Sequence, residues 1–175
     1  RDRDIGVVTD PLLREPDLDR LQPPDPAQAR FTMDMAANCT AHPDHFRCYN
    51  VGFSLFERAW ALRGMEHLLM DLIERPDFVH ALLDRIADNV IAITERALAY
   101  DIDAVQFGDD WGQQRGLIMG GELWRTFLAP RLERIYATVN AAGRRVFIHS
   151  CGDVDELFDD LIALGVDCLH PLQPQ

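Results

Sequence analysis

The stretch Arg145-Val146-Phe147-Ile148-His149-Ser150-Cys151-Gly152-Asp153 joins a short apolar run to a polar end that contains glycine. Such a run, bounded by a turn signal, predicts a buried β-strand over residues 145–149. Asp153 is a suitable cap for a helix that ends at Gly165, and residues 166–170 predict the next strand. A strand, a helix and a second strand in this order are typical of a parallel sheet.

The same alternation extends toward the N-terminus. Apolar runs predict strands over residues 49–53 and 103–107, and helical periodicity predicts the helices that separate them. The predicted helices cover two short segments broken at Gly64 and Pro76, then residues 77–100 and residues 121–142. Ser54 and Glu57 fit a capping box at the start of the first helix. The sequence therefore predicts an α/β fold.

Two parallel architectures fit this order, an open doubly wound sheet and a (β/α)8 barrel. Neither G-x-G-x-x-G nor G-x-x-x-x-G-K-[ST] occurs, although an open sheet usually carries such a phosphate loop. We therefore predict an incomplete (β/α)8 TIM barrel, since about four strands are visible and a complete barrel needs about 250 residues. Residues 1–48 are expected to form a Pro-rich, irregular connecting segment, and residues 49–175 the central βα units. Because the first residue is not Met, we expect a fragment of a longer protein.

Composition and charge exclude several classes of function. The 175 residues carry 17 Lys+Arg and 29 Asp+Glu, a formal net charge of −12, so nucleic acid and anionic membranes are poor partners. No apolar run is long enough to span a membrane, and the N-terminus lacks the layout of a secretory signal. Four cysteines are too few for a disulfide scaffold. We expect a cytoplasmic protein with a small-molecule substrate.

Polar side chains follow three successive predicted strands, at the edge where ligands bind in parallel α/β folds. They are Asp109 and Asp110, then His149 and Cys151, then His170. Residues i and i+2 of an extended backbone project to the same side, so His149 and Cys151 can converge on one ion. Imidazole and thiolate together suit zinc. An inert buried cysteine beside a hydrogen-bonded histidine fits the spacing equally well.

The remaining candidates have structural alternatives of their own. Asp109 and Asp110 are candidate catalytic residues, as acid, base or support for a ligand, but Asp in such a turn also commonly caps a helix. Phe53, Trp60 and Trp111 are candidate substrate-binding aromatics, although their spacing is also typical of core residues. His170 is a further substrate-binding candidate that could instead cap the rim of the sheet.

The order of motifs resembles the uroporphyrinogen decarboxylase superfamily. The residues that carry the resemblance are Gly52 to Gly64 (GFSLFERAWALRG), Asp103 to Gly112 (DAVQFGDDWG), Phe127-Leu128-Ala129-Pro130, and His149-Ser150-Cys151-Gly152-Asp153. The resemblance covers about Tyr49 to the end, and its specificity lies in order and spacing. It implies a (β/α)8 barrel of which this chain covers the middle.

The superfamily implies two chemistries. Its decarboxylases use no metal or cofactor and bind substrate carboxylates through an Arg-bearing N-terminal segment, with an Asp and a Tyr. Its methyltransferases move methyl groups between corrinoid carriers and thiols, with zinc held by a His-x-Cys pair and a later Cys. His149 and Cys151 match that pair, and the later Cys would lie beyond Gln175. Trp60 stands where decarboxylases carry the Tyr, and an indole only donates hydrogen bonds.

The resemblance therefore favours a zinc-dependent methyltransferase that uses a corrinoid protein as partner. In that account His149 and Cys151 are the metal ligands, and Asp109 or Asp110 orients the substrate or a ligand. The alternative is uroporphyrinogen decarboxylase, a carboxy-lyase without a cofactor. A further alternative is a barrel fragment that catalyses nothing.

Overall fold

The structure is a computed structural model that describes residues 8–172. Four strands form one sheet in the order β1 (Cys48–Val51), β2 (Ala104–Gly108), β5 (Arg145–His149) and β6 (Cys168–His170), and every neighbouring pair is parallel. In chain order the elements are α1 (Met35–Ala41), β1 (Cys48–Val51), α2 (Phe56–Arg63), α3 (Met65–Glu74), α4 (Pro76–Leu98), β2 (Ala104–Gly108), β3 (Gly112–Gln113), β4 (Gly116–Leu117), α5 (Gly121–Leu123), α6 (Ala129–Ala141), β5 (Arg145–His149), α7 (Phe158–Ala163) and β6 (Cys168–His170). The predicted α/β class with a parallel sheet is confirmed.

The two faces of the sheet differ in burial. Val105, Phe107, Val146 and Ile148 alternate along β2 and β5 and are completely buried in the core. Phe107 packs against Tyr136 of α6 with ring centroids 5.4 Å apart, so this face is the one that the helices cover. The residues between them point to the opposite face, which corresponds to the interior of a barrel.

The helix predicted over residues 121–142 is present but irregular. α5 continues through a π-helical turn (Trp124–Leu128) into α6, where Pro130 lies in the first turn. Pro130 has no N–H to donate to the preceding turn, and that turn is the π-helical one, in which the Ala129 N–H donates to the Trp124 carbonyl. The proline is therefore accommodated rather than ending the helix.

The predicted capping box at Ser54 and Glu57 is wrong. α2 begins at Phe56, no side chain of its own N-cap residue caps it, and the Ser54 hydroxyl is buried without a partner. The carboxylate of Asp109, at the end of β2, accepts the first N–H groups of α2 instead. A carboxylate from a neighbouring strand thus replaces the local cap that the sequence pattern suggested.

Part of the N-terminal segment is anchored to the barrel units. Leu13 and Leu21 are buried in the core, and the buried Arg63 donates to the carbonyl oxygens of Leu13 and Arg14. Residues 1–7 of the predicted connecting segment, and residues 173–175 of the predicted barrel segment, lie outside the described residues. Within residues 8–172, none of the helices is both long and apolar enough to cross a membrane.

Candidate metal centre

The hydrogen-bonding ladder of the sheet continues beyond the ends of its strands. The Asp109 N–H donates to the His149 carbonyl at 3.0 Å, and the Ser150 N–H donates to the His170 carbonyl at 3.1 Å. The Ser150 hydroxyl then accepts the Trp111 N–H at 3.0 Å. The loops that follow β2, β5 and β6 are therefore held side by side at the C-terminal edge of the sheet. Asp109, His149 and His170 lie on adjacent strand ends, as predicted, but the buried Asp109 faces the helix-covered side and does not share a cavity with the two histidines.

Two glycines let the first two of these loops touch. A Cβ atom on Gly152 would lie 2.2 Å from the carbonyl carbon of Gly112, and one on Gly112 would lie 2.6 Å from the Cys151 carbonyl oxygen. Gly152 also has a φ of +83°, which side chains disfavour. The Asp153 N–H donates to the Gln113 carbonyl at 2.8 Å across the same junction. Backbone packing thus fixes the loop of Cys151 against the loop that follows Asp110.

Three donor atoms converge at this junction. Cys151 Sγ lies 3.4 Å from His149 Nε2, which lies 3.7 Å from Asp110 Oδ1. The donors of Asp110, His149 and Cys151 all lie within 4.8 Å of one another. The prediction that His149 and Cys151 lie within side-chain reach at the end of one strand is confirmed.

The two separations from His149 Nε2, 3.4 Å to Cys151 Sγ and 3.7 Å to Asp110 Oδ1, suit zinc. Ligands about 2.0–2.3 Å from a tetrahedral ion lie about 3.3–3.8 Å from one another, and nitrogen, sulfur and carboxylate oxygen are its usual donors. The side chains of His149 and Asp110 are 35% and 34% exposed, and Cys151 is exposed, so an ion and a substrate can both reach them. The residues present therefore fit a zinc ion with Asp110, predicted as catalytic, as a third donor.

A second imidazole lies behind the first. His170 Nδ1 is 3.4 Å from His149 Nδ1, and the two rings meet edge-on with centroids 5.0 Å apart. His170 is not one of the three converging donors. It contacts the nitrogen of His149 that faces away from them.

Asp109 occupies a different environment from Asp110. It is 1% exposed, and its oxygens accept the backbone N–H groups of Phe56 at 3.0 Å and Glu57 at 2.7 Å, and Trp111 Nε1–H at 2.7 Å. Burial raises the pKa of Asp109 to about 6, although these donors oppose the rise. Every one of these partners donates, so the carboxylate is ionised at neutral pH and serves as an acceptor. The geometry supports a structural role for Asp109 as the cap of α2.

Glu57 is a site residue that the sequence pattern missed. It is 7% exposed, and its pKa is raised to about 7 by burial and by the negative charges of Asp109 and Asp110. The pKa of Cys151 is also raised, by burial and then by Asp110 and Glu57. Negative charge around the converging donors favours binding of a cation. The only signal in the sequence was the position of Glu57 in the first turn of a helix that follows a strand.

The aromatic candidates divide into two groups. Trp111 is completely buried, packs edge-on against Trp124 with centroids 5.3 Å apart, and has no exposed surface for a substrate. Phe53 and Trp60 are half-buried near each other, with ring centroids 6.0 Å apart. Phe53, two residues after the end of β1, has a left-handed backbone with a φ of 53°. Phe53 and Trp60 therefore keep surface that a ligand can reach.

Two curated proteins are similar to this chain in sequence. A curated uroporphyrinogen decarboxylase of Rhodococcus erythropolis is 38% identical over 68 residues, which cover 39% of this chain and 18% of that protein. A second, of Bacillus mycoides, is 32% identical over 97 residues, covering 53% of this chain and 27% of that protein. The chain thus spans about a fifth to a quarter of the curated relatives it matches.

Among solved structures, a methyltransferase from Methanosarcina mazei is similar with a TM-score of 0.58 at 21% identity, over 69% of this chain and 34% of that one. This likeness concerns the fold and supports the assignment of the parallel sheet to part of a (β/α)8 barrel. The family model described as uroporphyrinogen decarboxylase (URO-D) matches residues 1–171. The match confirms the resemblance seen in the motifs, and the chain belongs to the uroporphyrinogen decarboxylase (URO-D) family.

Proposed function

We propose that this chain forms the metal-binding part of a zinc-dependent methyltransferase that moves a methyl group between a corrinoid carrier and a thiol. The observation that carries the proposal is the convergence of Asp110, His149 and Cys151 at the C-terminal edge of the sheet. Catalytic groups of (β/α)8 enzymes collect at this edge. The similarity in fold to a protein named as a methyltransferase also supports it.

The roles of the residues follow from their positions. His149 and Cys151 hold the ion, and Asp110 supplies an oxygen donor while its Oδ1 also accepts the Cys151 N–H at 2.8 Å. Zinc, when bound, lowers the pKa of a substrate thiol so that it reacts as a thiolate. The exposure of Cys151 leaves one side of the donor group open toward a substrate.

Phe53 and Trp60 supply an apolar wall for the substrate, since both keep accessible surface beside the end of β1. His170 acts in this account through His149, and Asp109 through the placement of α2. The small-molecule substrate is a thiol, and the partner is a protein that carries the corrinoid.

Decarboxylation is the second candidate function, because both curated relatives are named uroporphyrinogen decarboxylase. That reaction requires no metal in the superfamily that the motifs resemble. The two functions therefore differ in whether the donor group of Asp110, His149 and Cys151 is used. A barrel that only binds a partner would show neither activity.

The test measures zinc and both activities in the full-length protein. We expect about one zinc per chain, transfer of a methyl group from methylcobalamin to a small thiol, and no decarboxylation of uroporphyrinogen. Cys151→Ser should lose most of the zinc, because a hydroxyl is a far weaker zinc ligand than a thiolate. Cys48→Ser is the matched control, since Cys48 lies at the opposite end of the sheet, and it should retain the metal. Unchanged zinc in Cys151→Ser would overturn the metal assignment, and decarboxylation by the metal-free protein would favour the second candidate.

A further inference from the structure

The two adjacent imidazoles suggest how the metal-binding nitrogen of His149 is selected. β5 and β6 pair so that His149 and His170 are register partners, and the Ser150 N–H fixes the His170 backbone through its carbonyl at 3.1 Å. The Nδ1 atoms of the two rings lie 3.4 Å apart. A neutral imidazole carries one donor and one acceptor, so a contact between two ring nitrogens needs a proton on one of them.

The surroundings of the second ring nitrogen of His149, Nε2, determine which tautomer of the ring suits the site. His149 Nε2 faces Cys151 Sγ at 3.4 Å and Asp110 Oδ1 at 3.7 Å. A metal bound there needs the lone pair of Nε2, and the proton must then lie on Nδ1. His170 Nδ1 is the acceptor within reach of that proton. Histidine ligands usually donate their other N–H to such a partner, which fixes the ring and its tautomer.

We propose that His170 is a positioning residue that holds His149 in the Nδ1–H tautomer and so keeps Nε2 free for the metal; this inference rests on the metal site of the proposed function. The role differs from the substrate contact expected from the sequence. Partners of this kind typically contribute 10–100-fold to metal affinity. Removing the acceptor while keeping an aromatic ring should therefore weaken zinc binding without removing a ligand.

Two variants separate positioning from packing. His170→Phe keeps a planar ring against His149 but removes the acceptor. His170→Asn places a carbonyl oxygen at about the position of Nδ1, so it should restore the hydrogen bond. His67→Phe is the control, because His67 is an exposed imidazole on α3 outside the three converging donors.

The experiment uses the full-length protein with 15N-labelled histidine, at about pH 8, where imidazole is ordinarily neutral. In the metal-free wild type we expect 1H–15N spectra of His149 to show the Nδ1–H tautomer. That tautomer should lose its dominance in His170→Phe and return in His170→Asn. Zinc affinity, measured by competition with a chelating dye, should fall about 10–100-fold in His170→Phe and stay within about threefold in His170→Asn and the control.

The outcomes distinguish the two proposals. If the wild type binds zinc and His170→Phe has the same tautomer and affinity, the positioning role is overturned while the metal site stands. If the wild type binds no zinc at these residues, the proposed function fails, and the tautomer spectra of the metal-free variants still decide the role of His170. Equal loss of affinity in His170→Phe and His170→Asn would point to packing alone and contradict the proposal.

Discussion

Replacement of Asp109 should affect folding far more than metal binding. Its carboxylate is 1% exposed and makes three good hydrogen bonds, with the Phe56 N–H at 3.0 Å, the Glu57 N–H at 2.7 Å and Trp111 Nε1–H at 2.7 Å. Hydrogen bonds to a charged group contribute about 1.5–3 kcal/mol each, and donors left buried without a partner add a penalty. Partial relaxation offsets some of this loss. We therefore expect Asp109→Ala to lower the free energy of unfolding by about 3–5 kcal/mol.

Asp109→Asn should cost less, about 1–3 kcal/mol, because one oxygen remains as an acceptor. Urea denaturation of the metal-free full-length protein measures both effects as shifts of the midpoint at constant slope. Asp110→Asn is the matched control, since it changes the neighbouring acid in the same way but at a one-third exposed side chain. It should leave the midpoint nearly unchanged and weaken zinc binding. An unchanged midpoint in Asp109→Asn, combined with lost turnover, would refute the structural role and restore Asp109 as a catalytic residue.

Two further variants test the packing of the helices and the geometry of the site. Arg63→Met removes a buried partner of Asp71, which accepts from Arg63 Nε at 2.6 Å. The variant should lower the free energy of unfolding, measured in urea, by about 3–5 kcal/mol. A loss below about 1 kcal/mol would contradict the importance of this pair. Gly152→Ala should lower both stability and zinc affinity, because its Cβ would collide with the backbone of the facing loop. Gly143→Ala is the control, since Gly143 also has a positive φ but has free space around it. This control should lower the free energy of unfolding by only about 1–2 kcal/mol and leave zinc affinity unchanged. Equal zinc affinities in the two alanine variants would show that the glycine junction does not set the geometry of the ligands.

The strands and the zinc candidate were predictable because both depend on local backbone geometry. The apolar run before His149 forms β5 over Arg145–His149, one of the strands that the pattern predicted. Extended backbone then brings His149 and Cys151 to one side irrespective of the rest of the fold. Residues 168–170 form β6 for the same reason, although the strand is shorter than predicted.

The features that sequence did not reveal depend on contacts between distant segments. The start of α2 is capped by Asp109, which lies more than 50 residues further along the chain, so no local capping pattern marks it. The pKa of Glu57 is raised by burial and then by the charges of Asp109 and Asp110, and both causes depend on the packing of α2 against the end of β2. The contact between the rings of His149 and His170 likewise requires the parallel pairing of β5 with β6.

The different fates of Asp109 and Asp110 follow from the alternation of side chains along β2. Val105 and Phe107 are buried on the face that the helices cover, and Asp109 continues that series, as does the buried Trp111. Asp110 belongs to the opposite series. The Asp109 N–H donates to the carbonyl of His149, which is the register partner of Gly108. The ladder of hydrogen bonds therefore extends past the strands, and the alternation of side chains between the two faces persists beyond β2.

The same alternation along β5 assigns His149 and Cys151 to the inner face, because Val146 and Ile148 are completely buried on the outer one. An acid can join these two ligands only if its side chain also points to the inner face of the sheet. Asp110 meets this condition and Asp109 does not, so strand parity alone separates the acid that can bind the metal from the acid that caps the helix. A one-residue change of register in β2 would exchange the two aspartates, and it would also move Val105 and Phe107 out of the core.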